Sequence, residues 1–189
     1  MVKSLTIGVG AHNLVLYKLL GTILVVAYPL KLKKSIQVHV LDPSFNWLAG
    51  KLLKEFGKLT SLLALMLNGN QISGDIPTDL GSVTNLEHMD LSSNKFNNSI
   101  PKNIGNLLKL NYLNMSNKKF GNDNIPIKIH ILAHFSQLDL SHNWLKEKIL
   151  SHISNLQSLE MLNISDNNLS SPSICSWRNS WLVISRHIL

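Results

Sequence analysis

Asn70 and Asn94 lie 24 residues apart in matching surroundings, and this period runs through most of the chain. The first copy reads Leu62-x-x-Leu65-x-Leu67-x-x-Asn70-x-Ile72-x-Gly74-x-Ile76-Pro77. The next reads Leu86-x-x-Met89-x-Leu91-x-x-Asn94-x-Phe96-x-Asn98-x-Ile100-Pro101. A third copy begins at Leu110-x-x-Leu113-x-Met115, puts Lys118 in the Asn slot, and closes on Ile125-Pro126 one residue late. After that insertion the fourth copy is Phe135-x-x-Leu138-x-Leu140-x-x-Asn143-x-Leu145 and the fifth Leu159-x-x-Leu162-x-Ile164-x-x-Asn167-x-Leu169. A worn copy with Leu41, Asn46 and Leu48 precedes them, so about five and a half copies occupy residues 38–170. A period of this size requires stacking, because one copy cannot bury its own apolar face and needs its neighbours to complete a core.

The residue types within a copy follow from that geometry. In the Leu-x-Leu segment strand alternation points the two leucines inward and the middle residue outward, and stacked copies make a parallel sheet. The recurrent Asn has both a donor and an acceptor on its amide, which suits it to bonding backbone groups of its own coil and the adjacent one. Asn46, Asn70, Asn94, Asn143 and Asn167 are therefore expected to form a structural ladder. Lys118 has no acceptor to offer, so the ladder is expected to be weakest between the third and fourth copies.

The segments ISGDIP at 72–77 and FNNSIP at 96–101, each followed by glycine and then Leu-x-x-Met or Leu-x-x-Leu, resemble the plant-type repeat of leucine-rich-repeat receptor kinases and receptor-like proteins. The resemblance implies an α/β repeat solenoid, a right-handed leucine-rich-repeat superhelix. It would carry a short parallel β-sheet on its concave face and irregular or 3-10 segments on its convex side. It also implies an extracellular, non-catalytic module that binds a peptide or protein ligand, with a co-receptor as further partner. Such receptors usually have paired cysteines in their caps, a membrane span and often a kinase, none of which is visible here. The chain therefore reads as a truncated member or fragment. Secreted inhibitors of wall-degrading enzymes, and a degenerate receptor fragment with no role of its own, are the alternatives.

Strand alternation identifies the concave surface. The five better copies present Leu63, Ala64, Met66, Asn68; Glu87, His88, Asp90, Ser92; Asn111, Tyr112, Asn114, Ser116; Ser136, Gln137, Asp139, Ser141; and Glu160, Met161, Asn163, Ser165. Within this surface the candidate ligand-binding residues are Glu87, His88, Asp90, Tyr112, Gln137, Asp139 and Glu160. The face is acidic although the chain has 18 Lys and Arg against 11 Asp and Glu, a formal net charge of +7. The basic excess must lie elsewhere, which argues against a nucleic-acid partner along the sheet. An extended peptide carrying Arg or Lys, anchored on Tyr112, fits this face. Five strands about 4.8 Å apart span about 20 Å, room for about six extended residues.

Other chemistry finds little footing. A single cysteine, Cys175, excludes an internal disulfide or a Cys-based zinc site. His130 and His134 are four residues apart but have no Glu between them and no third ligand, so no metal or other cofactor is expected. No phosphate loop, GxSxG elbow or kinase signature is present, and the chain is not expected to be an enzyme.

The flanks depart from the repeat. Residues 1–37 form an apolar and basic segment in which 19–27 is uninterrupted and apolar, resembling a signal peptide cleaved after Ala27. The wider apolar window, 14–30, is 17 residues broken by Lys18, short of the ~20 needed to cross a bilayer. The same residues could instead cap the open end of the solenoid, and the tail at 171–189, with Trp177 and Trp181, could cap the other. Asn-x-Ser sequons at Asn97, Asn114, Asn163 and Asn168 fit a secreted or cell-surface glycoprotein, with Asn97 and Asn168 the better placed pair. Membrane association is expected only if the N-terminal segment is retained, or through a receptor partner.

Overall fold

The computed structural model describes residues 6–9, 38–97, 99–117, 126–145, 156, 158–168 and 182–183. Its strands, in chain order, are β1 (Thr6–Val9), β2 (Val38–Asp42), β3 (Ala49–Lys51), β4 (Ala64–Met66), β5 (Gln71–Gly74), β6 (His88–Asp90), β7 (Lys95–Phe96), β8 (Tyr112–Asn114), β9 (Gln137–Asp139), β10 (Met161–Asn163) and β11 (Leu182–Val183). Among the described residues eight of them form one sheet in the order β1-β2-β4-β6-β8-β9-β10-β11. The interior pairs are parallel, as coils wound in one direction require, and only β1 runs antiparallel to its neighbour β2. β1 and β11 lie outside the repeats and extend the sheet at its two ends.

Leu65, Met89, Leu113, Leu138 and Leu162 are the centres of their strands and are all buried, 1% exposed or less. Each of these side chains taken from water is worth about 1.5–3 kcal/mol, and their stacking in register makes the core continuous from coil to coil. Behind the sheet the chain runs through Ile76-Pro77 or its equivalents into 3-10 turns at Lys54–Lys58, Thr78–Ser82, Lys102–Asn106 and Ile127–Ile131. Pro77, Pro101 and Pro126 immediately precede three of these turns, where a missing N–H leaves no intrahelical bond unmade. The helical part of the expected architecture is therefore 3-10 throughout the described residues. The turns pack too tightly for a side chain at Gly57, Gly81 and Gly105. A Cβ built on Gly81 runs into the backbone carbonyl of Asn103 in the next coil.

Two features were not expected from the sequence. β3, β5 and β7 form a second parallel sheet on the flank that follows the ladder Asn, so each of these coils pairs with its neighbours twice. Between the main strand and the ladder Asn, moreover, one residue per coil adopts a left-handed backbone: Phe45, Gly69, Ser93, Asn117, His142 and Asp166. Gly69 is the one glycine in this row, although the conformation costs other L-residues roughly 1–2 kcal/mol. The cost is offset by backbone hydrogen bonds between coils, such as Gly69 N–H to Ser92 O at 3.1 Å and His142 N–H to Ser165 O at 2.9 Å. The row also locates the inserted residue, because its spacing widens from 24 to 25 between Asn117 and His142.

Lys118 and Phe120, the apolar window at 14–30, Ala27, and both Trp177 and Trp181 lie outside the described residues. Among the described residues no helix is long and apolar enough to cross a membrane.

Candidate functional site

The parallel register places equivalent outward residues side by side. Ala64, His88, Tyr112, Gln137 and Met161 form one row across the concave face. Met66, Asp90, Asn114, Asp139 and Asn163 form a second row beside it. In the first row the rings of His88 and Tyr112 stack, with centroids 6.0 Å apart and planes 21° apart. Tyr112 is half-buried, and its hydroxyl sits beside Asp90 while accepting a bond from Asn114 Nδ2 at 3.3 Å. Burial is the first cause that raises the Tyr112 pKa above 10.0; the Asn114 bond opposes it, and the charges of Asp90 and Asp139 add to it. These causes favour the neutral phenol, whose hydroxyl lies against the Asp90 carboxylate.

The second row has a structural duty that alternation alone does not reveal. Asp90 Oδ1 accepts the backbone N–H of Ser92 at 2.8 Å, and Asn114 accepts that of Ser116 at 3.0 Å. Asp139 accepts that of Ser141 at 2.9 Å, and Asn163 that of Ser165 at 3.2 Å. These are Asx turns, which lead the chain out of each strand and into the left-handed residue that follows. Ser92, Ser116, Ser141 and Ser165, expected on the open face, are consequently turned inward and buried. The recurring Asp/Asn-x-Ser spacing at 90–92, 114–116, 139–141 and 163–165 is the sequence signal for this turn.

Asp90 and Asp139 therefore each have one oxygen engaged in a turn, and Asp139 Oδ2 also accepts from Asn163 Nδ2 at 3.2 Å. Of the remaining candidates, Gln137 stands next to Tyr112 in the first row. Glu87 and Glu160 are exposed but belong to coils separated by those of β8 and β9, so the structure does not join them in one cluster. His142 sits off the sheet in the left-handed row, its Nδ1 2.9 Å from Asp166 Oδ2 of the next coil. His130 and His134 belong to no group of three metal-ligand side chains among the described residues.

The ladder forms as its residue type demands. Asn94 Nδ2 donates to the carbonyls of Leu67, Leu91 and Ser92, and its Oδ1 accepts the N–H of Ile72. Asn70 and Asn167 repeat this pattern. Asn143 Nδ2 reaches back 28 residues to Met115 O where the others reach 27, which accommodates the insertion. Asn46 donates only within its own turn, and neither its Oδ1 nor that of Asn143 has a partner among the described residues.

The Leucine Rich Repeat family profile matches residues 61–83, 85–107, 134–156 and 158–180. No curated protein matches the chain. Among solved structures, the chain is 34% identical to the plant peptide hormone receptor RGFR1 in complex with RGF2, over 69% of this chain and 21% of that one, with a TM-score of 0.67. It is 34% identical to the ectodomain of the membrane receptor kinase GASSHO1/SCHENGEN3 from Arabidopsis thaliana, over 78% and 19% of the two chains, with a TM-score of 0.66. Against the BIR3–SERK2 complex from Arabidopsis thaliana it is 30% identical over 74% of this chain and 73% of that one, with a TM-score of 0.64. The chain thus spans about a fifth of the length of the two larger receptors it matches.

Proposed function

This chain belongs to the leucine-rich-repeat family, with repeats of the plant receptor-ectodomain type, and on that premise we propose that it is a non-catalytic recognition module acting outside the cell or at its surface. Its concave face takes an extended peptide or a segment of a protein ligand, and a co-receptor is the further partner. The observation that carries this reading is the aligned pair of rows. Tyr112, stacked on His88, stands between the carboxylates of Asp90 and Asp139 at the middle of the sheet.

That combination selects for positive charge. A guanidinium or ammonium set over the Tyr112 ring gains from the ring's electron-rich face as well as from the carboxylates, about 0.5–2 kcal/mol for the aromatic part. Nucleic acid is disfavoured for the same reason, since its phosphates would meet these carboxylates. The resemblance to a peptide hormone receptor solved in complex with RGF2 supports the peptide part of the reading. No cofactor is needed for recognition of this kind.

The test is a library of hexapeptides presented to the secreted full-length chain at several salt concentrations. Peptides with Arg or Lys are expected to be enriched and to weaken as salt rises. The enrichment should vanish in Tyr112→Ala and fall in Asp90→Asn, which preserves the acceptor of the turn while removing the charge. Selection of acidic or uncharged peptides, or indifference to both substitutions, would sink the reading.

A further inference from the structure

The four sequon asparagines fall into two structural classes, and we infer that Asn97 and Asn168 alone carry N-glycans, leaving the concave face bare. The inference rests on the proposed extracellular role.

Asn114 and Asn163 are sequons only because the Asx turn is written as Asp or Asn, then an apolar residue, then Ser. Asp90 and Asp139 occupy the equivalent positions in the alternate coils and make the same bond. In both sequons the Asn amide is engaged at its oxygen and at its nitrogen. Asn114 Oδ1 takes the Ser116 N–H while Nδ2 donates to the Tyr112 hydroxyl. Asn163 Oδ1 takes both the N–H of Ser165 and its hydroxyl, the latter at 2.8 Å, while Nδ2 donates to Asp139. Both serines are buried, and the middle residues Met115 and Ile164 are core side chains, 0% and 5% exposed. Exposing either sequon would pull a core side chain out of the solenoid. The turn itself spans two residues, so it forms from local contacts and competes with the transferase early.

Asn97 and Asn168 differ in the state of their amides. Both are exposed, and among the described residues neither amide has a hydrogen-bond partner, although each backbone N–H is anchored, Asn97 to Gly74 O at 3.1 Å and Asn168 to Leu145 O at 3.0 Å. Both follow the ladder Asn of their coils, on the flank where β3, β5 and β7 lie. The atoms balance simply. The Asn amide nitrogen forms a bond to the anomeric carbon of a lipid-linked oligosaccharide, loses a proton, and the lipid pyrophosphate leaves. Two glycans on this flank leave the rows of His88–Tyr112 and Asp90–Asp139 open to a ligand, and direct a protein partner to the concave face or to the opposite flank.

The experiment is expression of the full chain in plant secretory cells, enzymatic removal of N-glycans in heavy-oxygen water, and peptide mass spectrometry of the four sites. Near-complete labelling at Asn97 and Asn168 with little at Asn114 and Asn163 is the expected result. Asn97→Gln and Asn168→Gln should each remove one glycan's mass, whereas Asn114→Asp and Asn163→Asp, which keep the turn acceptor, should leave the glycoform unchanged. Labelling of Asn114 or Asn163 comparable to that of Asn97 overturns the inference, as does an exported chain bare at all four sites. A chain retained inside the cell and bare overturns the extracellular role itself.

Discussion

Asn94 Oδ1 accepts the backbone N–H of Ile72, in the preceding coil, at 3.0 Å, and through this bond the turn of one repeat satisfies the strand of another. The same amide donates to three carbonyls, one of them Leu67 O in that preceding coil. Replacing it with alanine strands the buried Ile72 N–H and removes one donor from each of three carbonyls, of which Leu67 O keeps the Asn70 amide and Ser92 O the Gly69 N–H, so Asn94→Ala should lose about 2 kcal/mol or more. Asn94→Asp should do no better, because a carboxylate cannot donate to the three carbonyls. Asn46→Ala, whose amide serves only its own turn among the described residues, should lose about 1 kcal/mol. Denaturant midpoints of the three variants test this order.

Gly69 is the left-handed residue of its coil, with φ of 67°, and the ring of Phe45 lies over it. A Cβ placed there falls 2.7 Å from Phe45 Cδ1. Gly69→Ala should therefore cost the left-handed penalty of about 1–2 kcal/mol together with displacement of the ring. Adding Phe45→Ala should recover the second part and leave the first. A double-mutant cycle by chemical denaturation separates the two contributions, and simple additivity would show that the ring contact is immaterial.

Tyr112 has a raised pKa, so folding favours its neutral form. Its contribution to stability is complete below about pH 10, where the unfolded phenol begins to ionise, and is lost as the pH climbs through the higher folded value. Stability of the parent chain should thus fall more steeply at alkaline pH than that of Tyr112→Phe. Ultraviolet titration near 295 nm should also show one of the chain's three tyrosines ionising late, a feature that is absent in the variant. Identical alkaline limbs would refute this.

Asp139 closes its turn through Oδ1, which accepts both the N–H and the hydroxyl of Ser141, the latter at 2.7 Å. Asp139→Asn keeps that acceptor and should hold the melting temperature within a degree or two of the parent. Asp139→Ala removes it and should cost about 1–2 kcal/mol, similar to losing a helix cap. Equal melting temperatures for the two variants would mean the turn bond contributes nothing.

Much of this architecture was legible because the information is local and repeated. The spacing of Leu65, Met89, Leu113, Leu138 and Leu162 is enough to specify a strand centre in every coil, and the ladder Asn is recognisable from its place after the strand. The inserted residue was likewise visible in the shift to Ile125-Pro126, and the structure confines it to the stretch between Asn117 and His142. Less accessible was the inward turn of Ser92 and its equivalents. Alternation predicts an exposed residue there, and the prediction fails because the Asx bond and the left-handed residue end the strand one position early.

The sequence by itself determined the repeat, its inward leucines and the acidic character of the concave face, since a 24-residue coil can close only by stacking on copies of itself. The tertiary structure alone decided how each polar side chain is spent. It engaged one oxygen each of Asp90 and Asp139 in turns, tied down Asn114 and Asn163 while leaving the Asn97 and Asn168 amides without a partner among the described residues, and paired a second sheet along the flank. The physical reason is that a hydrogen bond between coils or across a turn depends on a few tenths of an ångström of backbone placement. Composition and spacing do not encode that placement until the coils are stacked.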